Sequence, residues 1–321
     1  MLLAAFLLFS VQPLISKLFL PLFGGTPMVW NICALFFQVL LLGGYFAAHL
    51  VQKLPPRREG FAYAFLLILS LGALPIGLPS GWSPEESGNF SLNLLFGLSI
   101  TVGLPYFTVA SASPTVQKWF SRTAQPSAND PYFLYALSNL GSLAALVAYP
   151  FAVEPYLTIA DQLEIWSLGF VVFAAGMLVL RFLTEFTEVK HDSPQLALAS
   201  SAWQERLQWV LLAFVPSSLS LGVTQHLTTD VAAIPLLWIL PLALYLTSFI
   251  VAFARKMSSI VTLCRAAFPL GVALPAVLLA NDLHHNITLQ IAGHLFGLFV
   301  IATRAHSLLA EKRPPVRDLT E

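Results

Sequence analysis

Charge is what this sequence has least of. Only 10% of its 321 residues are Asp, Glu, Lys or Arg, against about 25% in an ordinary soluble domain. A chain with less than half the usual charge cannot clothe a globule of this size in solvated side chains. A soluble enzyme, a disordered protein and a nucleic-acid binder are therefore excluded. The 16 basic and 16 acidic residues cancel, so no net field draws in DNA or anionic lipid. Cysteine is nearly absent. Cys33 and Cys264 lie far apart in apolar runs and no CxxC occurs, so neither a disulfide framework nor a cysteine zinc site is expected, and both read as small buried residues. There is no HExxH, GxSxG, P-loop or glycine-rich dinucleotide pattern. Catalysis has no visible centre, and neither a cofactor nor a metal site is expected. His284 and His285 are neighbours in sequence and do not share a helical face, so they do not read as a metal pair.

What is abundant is apolar length. Apolar residues make up 57% of the chain, 25 of them Phe, and mean hydropathy is +0.77. A bilayer-crossing helix needs about 20 largely apolar residues. Ten segments meet that requirement: 2–22, 29–51, 61–78, 92–113, 132–152, 165–182, 207–227, 231–254, 260–280 and 287–308. The runs are too long and too unbroken for β-barrel strands, which are about 10 residues of strict alternation. The first reads as a span and not as a cleavable signal, because no basic stretch precedes it and it continues to Phe23. The expected fold is all-α, a polytopic transmembrane helical bundle of about ten spans.

Basic residues set the orientation. Fifteen of the 16 fall on one side: Lys53, Arg57 and Arg58; Lys118 and Arg122; Arg181, Lys190 and Arg206; Arg255, Lys256 and Arg265; and Arg304, Lys312, Arg313 and Arg317. The alternate loops carry acids such as Glu85, Glu86, Glu154, Asp161, Asp230 and Asp282. The positive-inside rule then places both termini in the cytoplasm. The polar break at 184–205 divides a first membrane half, 1–183, with six helices, from a second, 206–321, with four. Pro13 and Pro216 occupy the first helix of each half, and Trp30 and Trp238 occupy the second. This spacing suggests two parallel repeats in the manner of major facilitator transporters, the second of them incomplete.

Several strings carry a resemblance. They are Gln12-Pro13-Leu14-Ile15-Ser16-Lys17 with Leu20-Pro21-Leu22-Phe23-Gly24-Gly25-Thr26-Pro27-Met28-Val29-Trp30-Asn31; Asp130-Pro131-Tyr132-Phe133-Leu134-Tyr135-Ala136-Leu137-Ser138-Asn139-Leu140-Gly141-Ser142; Phe214-Val215-Pro216-Ser217-Ser218-Leu219 with Leu227-Thr228-Thr229-Asp230; and Arg317-Asp318-Leu319-Thr320-Glu321. In this order the chain resembles the membrane part of the bacterial fused major-facilitator/spermidine-synthase-like proteins. The resemblance implies a major-facilitator-like bundle in the bacterial inner (plasma) membrane. It also implies that the chain continues past Glu321 toward a soluble synthase-like domain. None of that domain's catalytic pattern is present here, so this chain is not expected to be an enzyme.

Polar groups inside a bilayer are costly and need a partner or a wet cavity. In the second helix, Asn31, Gln38, Tyr45 and His49 fall within about 40° of one another and form a stripe about 27 Å long. Such a stripe serves either as a water-accessible path or as hydrogen-bonding glue between helices, worth about 0.6 kcal/mol per contact. Lys17, the remaining basic residue, lies within the first span. It reads either as a snorkelling side chain or as the charge partner of a substrate or an acid, with Glu154 and Asp230 as candidates. In the fifth helix, Tyr135 and Asn139 share a face with Tyr132, Ser142 and Tyr149. At the junction of the seventh and eighth helices stand His226, Thr228, Thr229 and Asp230. The last two suit an N-cap, and the whole group suits an ion or proton site.

The residues favour a transporter-like protein moving a small polar metabolite. Polyamines are the class the resemblance suggests, and the pathway candidates are Lys17, Asn31, Gln38, Tyr45, His49, Tyr135, Asn139, Thr228, Thr229 and Asp230. The alternative is a non-transporting membrane scaffold that anchors an enzyme or another partner. Expected partners are the lipid bilayer, a small-molecule substrate and a protein partner or fused soluble domain, with no nucleic acid.

Overall fold

A computed structural model describes residues 1–79, 81–84, 89–123, 125–183, 203–231, 237–254, 258–280 and 286–313. Among these the secondary structure is helical, with no strand. Most of the 184–205 linker, Glu85, Glu86, Lys190, Pro235, Arg255, Lys256, Asp282, His284, His285 and the tail from 314 lie outside the described residues.

Among these residues ten longer helices follow one another, with one 3-10 turn at Pro126–Asn129 between the fourth and the fifth. They are α1 (Leu2–Phe23), α2 (Pro27–Val51), α3 (Pro56–Leu71), α4 (Phe90–Ser121), α5 (Phe133–Val153), α6 (Ile159–Leu183), α7 (Trp203–Val231), α8 (Ile239–Phe253), α9 (Ser258–Ala280) and α10 (Ile287–Glu311). Eight of them, all but α3 and α8, are long and apolar enough to cross a membrane. Helix α3 has 16 residues and α8 has 15, about 24 and 22 Å of rise, against a hydrocarbon core of about 30 Å.

Local chemistry explains most boundaries. Gly24 ends α1 at φ 81°, a left-handed conformation that favours glycine, and its N–H returns to the Leu20 carbonyl at 2.8 Å. Pro27 and Pro56 stand at the first turns of α2 and α3, where a missing N–H costs nothing. Asn89 caps α4 by accepting from the Ser91 and Leu92 amides at 3.0 and 3.2 Å, and Asn286 caps α10 by accepting from Leu289 at 3.0 Å. Three π-helical turns interrupt or close helices, at Ser99–Gly103 in α4, Tyr149–Val153 in α5 and Leu227–Val231 in α7.

The chain forms two compact units, and the division falls within α5 after Leu143. The first contains the described residues of Met1–Pro131 and Ala144–Thr187. Its centre is α1, whose Val11, Ile15 and Phe19 are completely buried and which packs on α4 and α6. The Trp166 indole of α6 donates to the Leu7 carbonyl at 2.9 Å. Ser70 of α3 and Thr108 of α4 share a hydrogen bond of 2.6 Å. Helix α2 lies directly on α4, since a Cβ on Gly44 would come within 3.0 Å of the Phe107 carbonyl oxygen and the Ser111 nitrogen.

The second unit contains Tyr132–Leu143 and the described residues of Glu188–Arg317. Here α10 is central and packs on α7, α8 and α9. Its contact with α9 is close. A Cβ on Gly297 would lie 2.7 Å from the Gly271 carbonyl oxygen, and one on Gly293 would lie 2.3 Å from Leu278 Cδ1. Small residues that let backbones approach are a common device of membrane helix packing.

Candidate functional site

Lys17 is seated by the end of α5. The π turn Tyr149–Val153 closes with the Glu154 amide donating to the Tyr149 carbonyl at 2.8 Å. This keeps the carboxylate of Glu154 and the ring of Tyr149 on neighbouring turns. The Lys17 ammonium donates to Glu154 Oε1 and lies 5.7 Å from the centre of the Tyr149 ring, within cation–π range. The pair is only partly covered, with the Lys17 and Glu154 side chains 29% and 44% exposed. Of the two acids the sequence offered, Lys17 takes Glu154. An ammonium held by a carboxylate and an aromatic face is a general arrangement for recognising primary amines.

The stripe on α2 faces away from the core of its unit. Asn31, Gln38 and Tyr45 are exposed and His49 is half-buried. The opposite face of the same helix supplies Val29, Cys33, Phe36 and Phe37 to the core. The His49 Nδ1 is buried and makes no hydrogen bond within the described residues.

Tyr135 and Asn139 lie together on α5, where the Asn139 amide donates to the Tyr135 carbonyl at 2.8 Å. Tyr135 stacks on Tyr132 with ring centres 6.1 Å apart and meets Phe253 at 5.6 Å. These aromatic contacts join the start of α5 to α8.

The His226–Asp230 group is divided between internal bonds and one long-range contact. Thr228 donates to the Thr224 carbonyl at 2.8 Å, and the Gln225 amide donates to Thr229 Oγ1 at 2.9 Å. Both hydroxyls are thus engaged within α7. Asp230 lies 2.9 Å from His226 Nδ1. Thr229 and Asp230 stand in the π turn that closes α7, and neither caps α8, where Trp238 holds the N-cap position without a side-chain bond. Across from α7, His294 of α10 brings its ring centre to 4.7 Å from that of His226.

Three constellations give no signal in the sequence. Glu59 is 1% exposed; its carboxylate accepts from the Trp119 indole at 2.9 Å and pairs with Arg122. His306 is fully buried, bonded to Ser248 at 2.8 Å and stacked on Phe249 at 3.7 Å. His294, 3% exposed, meets His226 only through the packing of α10 on α7. Each is an isolated polar residue in an apolar or basic stretch, and only the fold reveals its partner.

Eight helices able to cross a bilayer and a few internally paired charges define an α-helical membrane protein in contact with lipid. No family model, no curated protein and no solved structure matches the chain.

Proposed function

We propose that the chain is a transporter-like membrane protein for a small polar metabolite, with a primary amine such as a polyamine as the substrate class. In this reading α3 and α8 complete a ten-span, major-facilitator-like bundle in the bacterial inner membrane, with both termini cytoplasmic. The observation that carries it is the Lys17 ammonium held by Glu154 over the Tyr149 ring. Lys17 occupies its own carboxylate as an internal ammonium, and a substrate amine reaching Glu154 would displace it. The exposed Asn31, Gln38 and Tyr45 on α2 support a wet path, because amides facing hydrocarbon would lose hydrogen bonds with water.

The test is uptake of labelled spermidine into proteoliposomes. Glu154→Gln and Gln38→Leu are expected to abolish uptake with expression and melting temperature unchanged, and Lys17→Ala to alter it, because that variant leaves Glu154 without its internal ammonium. Wild-type uptake in all three variants would sink the assignment.

The α2 stripe also favours a second reading, in which its amides bond a partner helix and the bundle is a scaffold. That reading requires no flux of any labelled amine and stable co-purification of a membrane partner that Gln38→Leu releases.

A further inference from the structure

In the second unit α7, α9 and α10 border a cavity of about 460 Å³. Its α9 wall is apolar, formed by Gly271, Val272, Pro275, Ala276 and Leu279. The other two walls each contribute one histidine, His226 from α7 and His294 from α10. Each imidazole has its Nδ1 engaged by an oxygen that can only accept. For His226 this is the Asp230 carboxylate at 2.9 Å, and for His294 it is the Gln290 backbone carbonyl at 2.8 Å. Both Nδ1 atoms therefore carry the proton, and both Nε2 atoms present a bare lone pair in the neutral ring. Both Nε2 atoms are buried and make no hydrogen bond within the described residues. Two buried acceptors without donors are unfavourable as they stand, and an electrophile shared between them would satisfy both.

From this geometry we infer that His226 and His294 bind a divalent transition-metal ion through their Nε2 atoms. Metal-ligating histidines characteristically donate the other ring N–H to a carboxylate or backbone carbonyl, which fixes the tautomer and the ring; here one ring does each. The spacing agrees. Two imidazole nitrogens about 2.0 Å from an ion, at an angle of about 95–110°, put the ring centres about 4.7–5.2 Å apart, and the observed separation of 4.7 Å lies at the narrow-angle end of that range. Imidazole ligands suit Zn²⁺, Cu²⁺, Ni²⁺ and Fe²⁺. Asp230 supplies one compensating negative charge, and among the described residues no Lys or Arg lines the cavity. No third His, Cys, Asp or Glu completes a cluster among the described residues. Within the described residues the two imidazoles are thus the protein ligands, and water or a small ligand from the cavity would complete the coordination of the ion. This site is independent of the Lys17–Glu154 reading and stands or falls without it.

The test is calorimetric titration of the full chain in detergent with Zn²⁺, and with Co²⁺ followed by its visible absorption. The background carries His284→Gln and His285→Gln to remove the other histidine pair. One equivalent of ion is expected. His226→Ala and His294→Gln should each weaken binding by tenfold or more, and Asp230→Asn by about tenfold. Asp230 is well exposed, with 61% of its side chain accessible, so its variant reports on the site without risk to the core. Failure of the chain to take up either ion, or uptake unchanged by His294→Gln and Asp230→Asn, would overturn the assignment.

Discussion

Glu59 shows what a single buried charge does in this molecule. It lies in the first turn of α3, where the helix dipole favours an anion, and it is almost inaccessible. The Trp119 indole takes one carboxylate oxygen and Arg122 the other. Removing Arg122 would leave a buried carboxylate with one neutral donor, and breaking such a pair costs about 3–5 kcal/mol. Arg122→Ala is therefore expected to lower stability by about 3 kcal/mol, read by denaturant unfolding in detergent micelles. Glu59→Gln keeps an acceptor for Trp119 and removes the charge, so it should cost less. The double variant should lose less than the two single losses together, because both act on one contact. Lys17 was legible at this scale, since a lone cation inside an apolar run demands a partner and few acids were available. Glu59 was not, because it follows Arg57 and Arg58 and reads as part of a solvated basic loop. The roles of His294 and His306 were equally hidden, since one histidine in an apolar helix says nothing about what packs on it.

At the scale of the element, the apolar runs located all ten helical stretches but not their ends. The third run extends over 61–78, whereas α3 occupies Pro56–Leu71. Hydropathy missed the polar first turn, Arg57-Arg58-Glu59, which Pro55 and Pro56 help to initiate. It also ran past the stop, where Pro75 disfavours helix for Leu74 before it. The eighth run extends over 231–254, whereas α8 begins at Ile239, and Leu227–Val231 instead closes α7 as a π turn. The π turns left no pattern of their own. Two of them stand against a proline, Pro105 just after Ser99–Gly103 and Pro150 within Tyr149–Val153, whose missing N–H breaks the regular ladder. Helix packing yields a sharper prediction. A Cβ on Gly44 meets the Ala110 Cβ at 2.8 Å and two backbone atoms of α4 at 3.0 Å, whereas one on Gly43 meets only the ring of Phe107 at 3.3 Å. Backbone cannot step aside as a ring can. Gly44→Ala is therefore expected to cost about 1–3 kcal/mol and Gly43→Ala clearly less, as measured by thermal melting of the purified protein.

For the whole molecule, a ten-span topology requires α3 and α8 to cross the bilayer beside the eight longer helices. Two observations within the first unit favour a crossing by α3. Arg122, just after α4, pairs with Glu59 at the start of α3, and Arg181, near the end of α6, donates to the Pro56 carbonyl at 3.0 Å. The start of α3 and the ends of α4 and α6 thus share one end of that unit, and α4 can return there only if α3 has carried the chain to the other. The distribution of charge points the same way. Without α3 as a crossing, Lys118 and Arg122 would fall on the opposite side from Lys53, Arg57 and Arg58, against the positive-inside tendency. Single cysteines can decide this, placed in a chain whose buried Cys33 and Cys264 are replaced by alanine. Arg58, Ser83, Trp203 and Ser259 are all exposed in their units. With ten crossings, a membrane-impermeant maleimide applied to sealed cells should label Ser83→Cys, and should reach Arg58→Cys, Trp203→Cys and Ser259→Cys only after permeabilisation. Labelling of Ser83→Cys and Arg58→Cys from the same side would remove α3 as a span. Labelling of Trp203→Cys and Ser259→Cys from opposite sides would remove α8, because two crossings return the chain to the side it left and one does not.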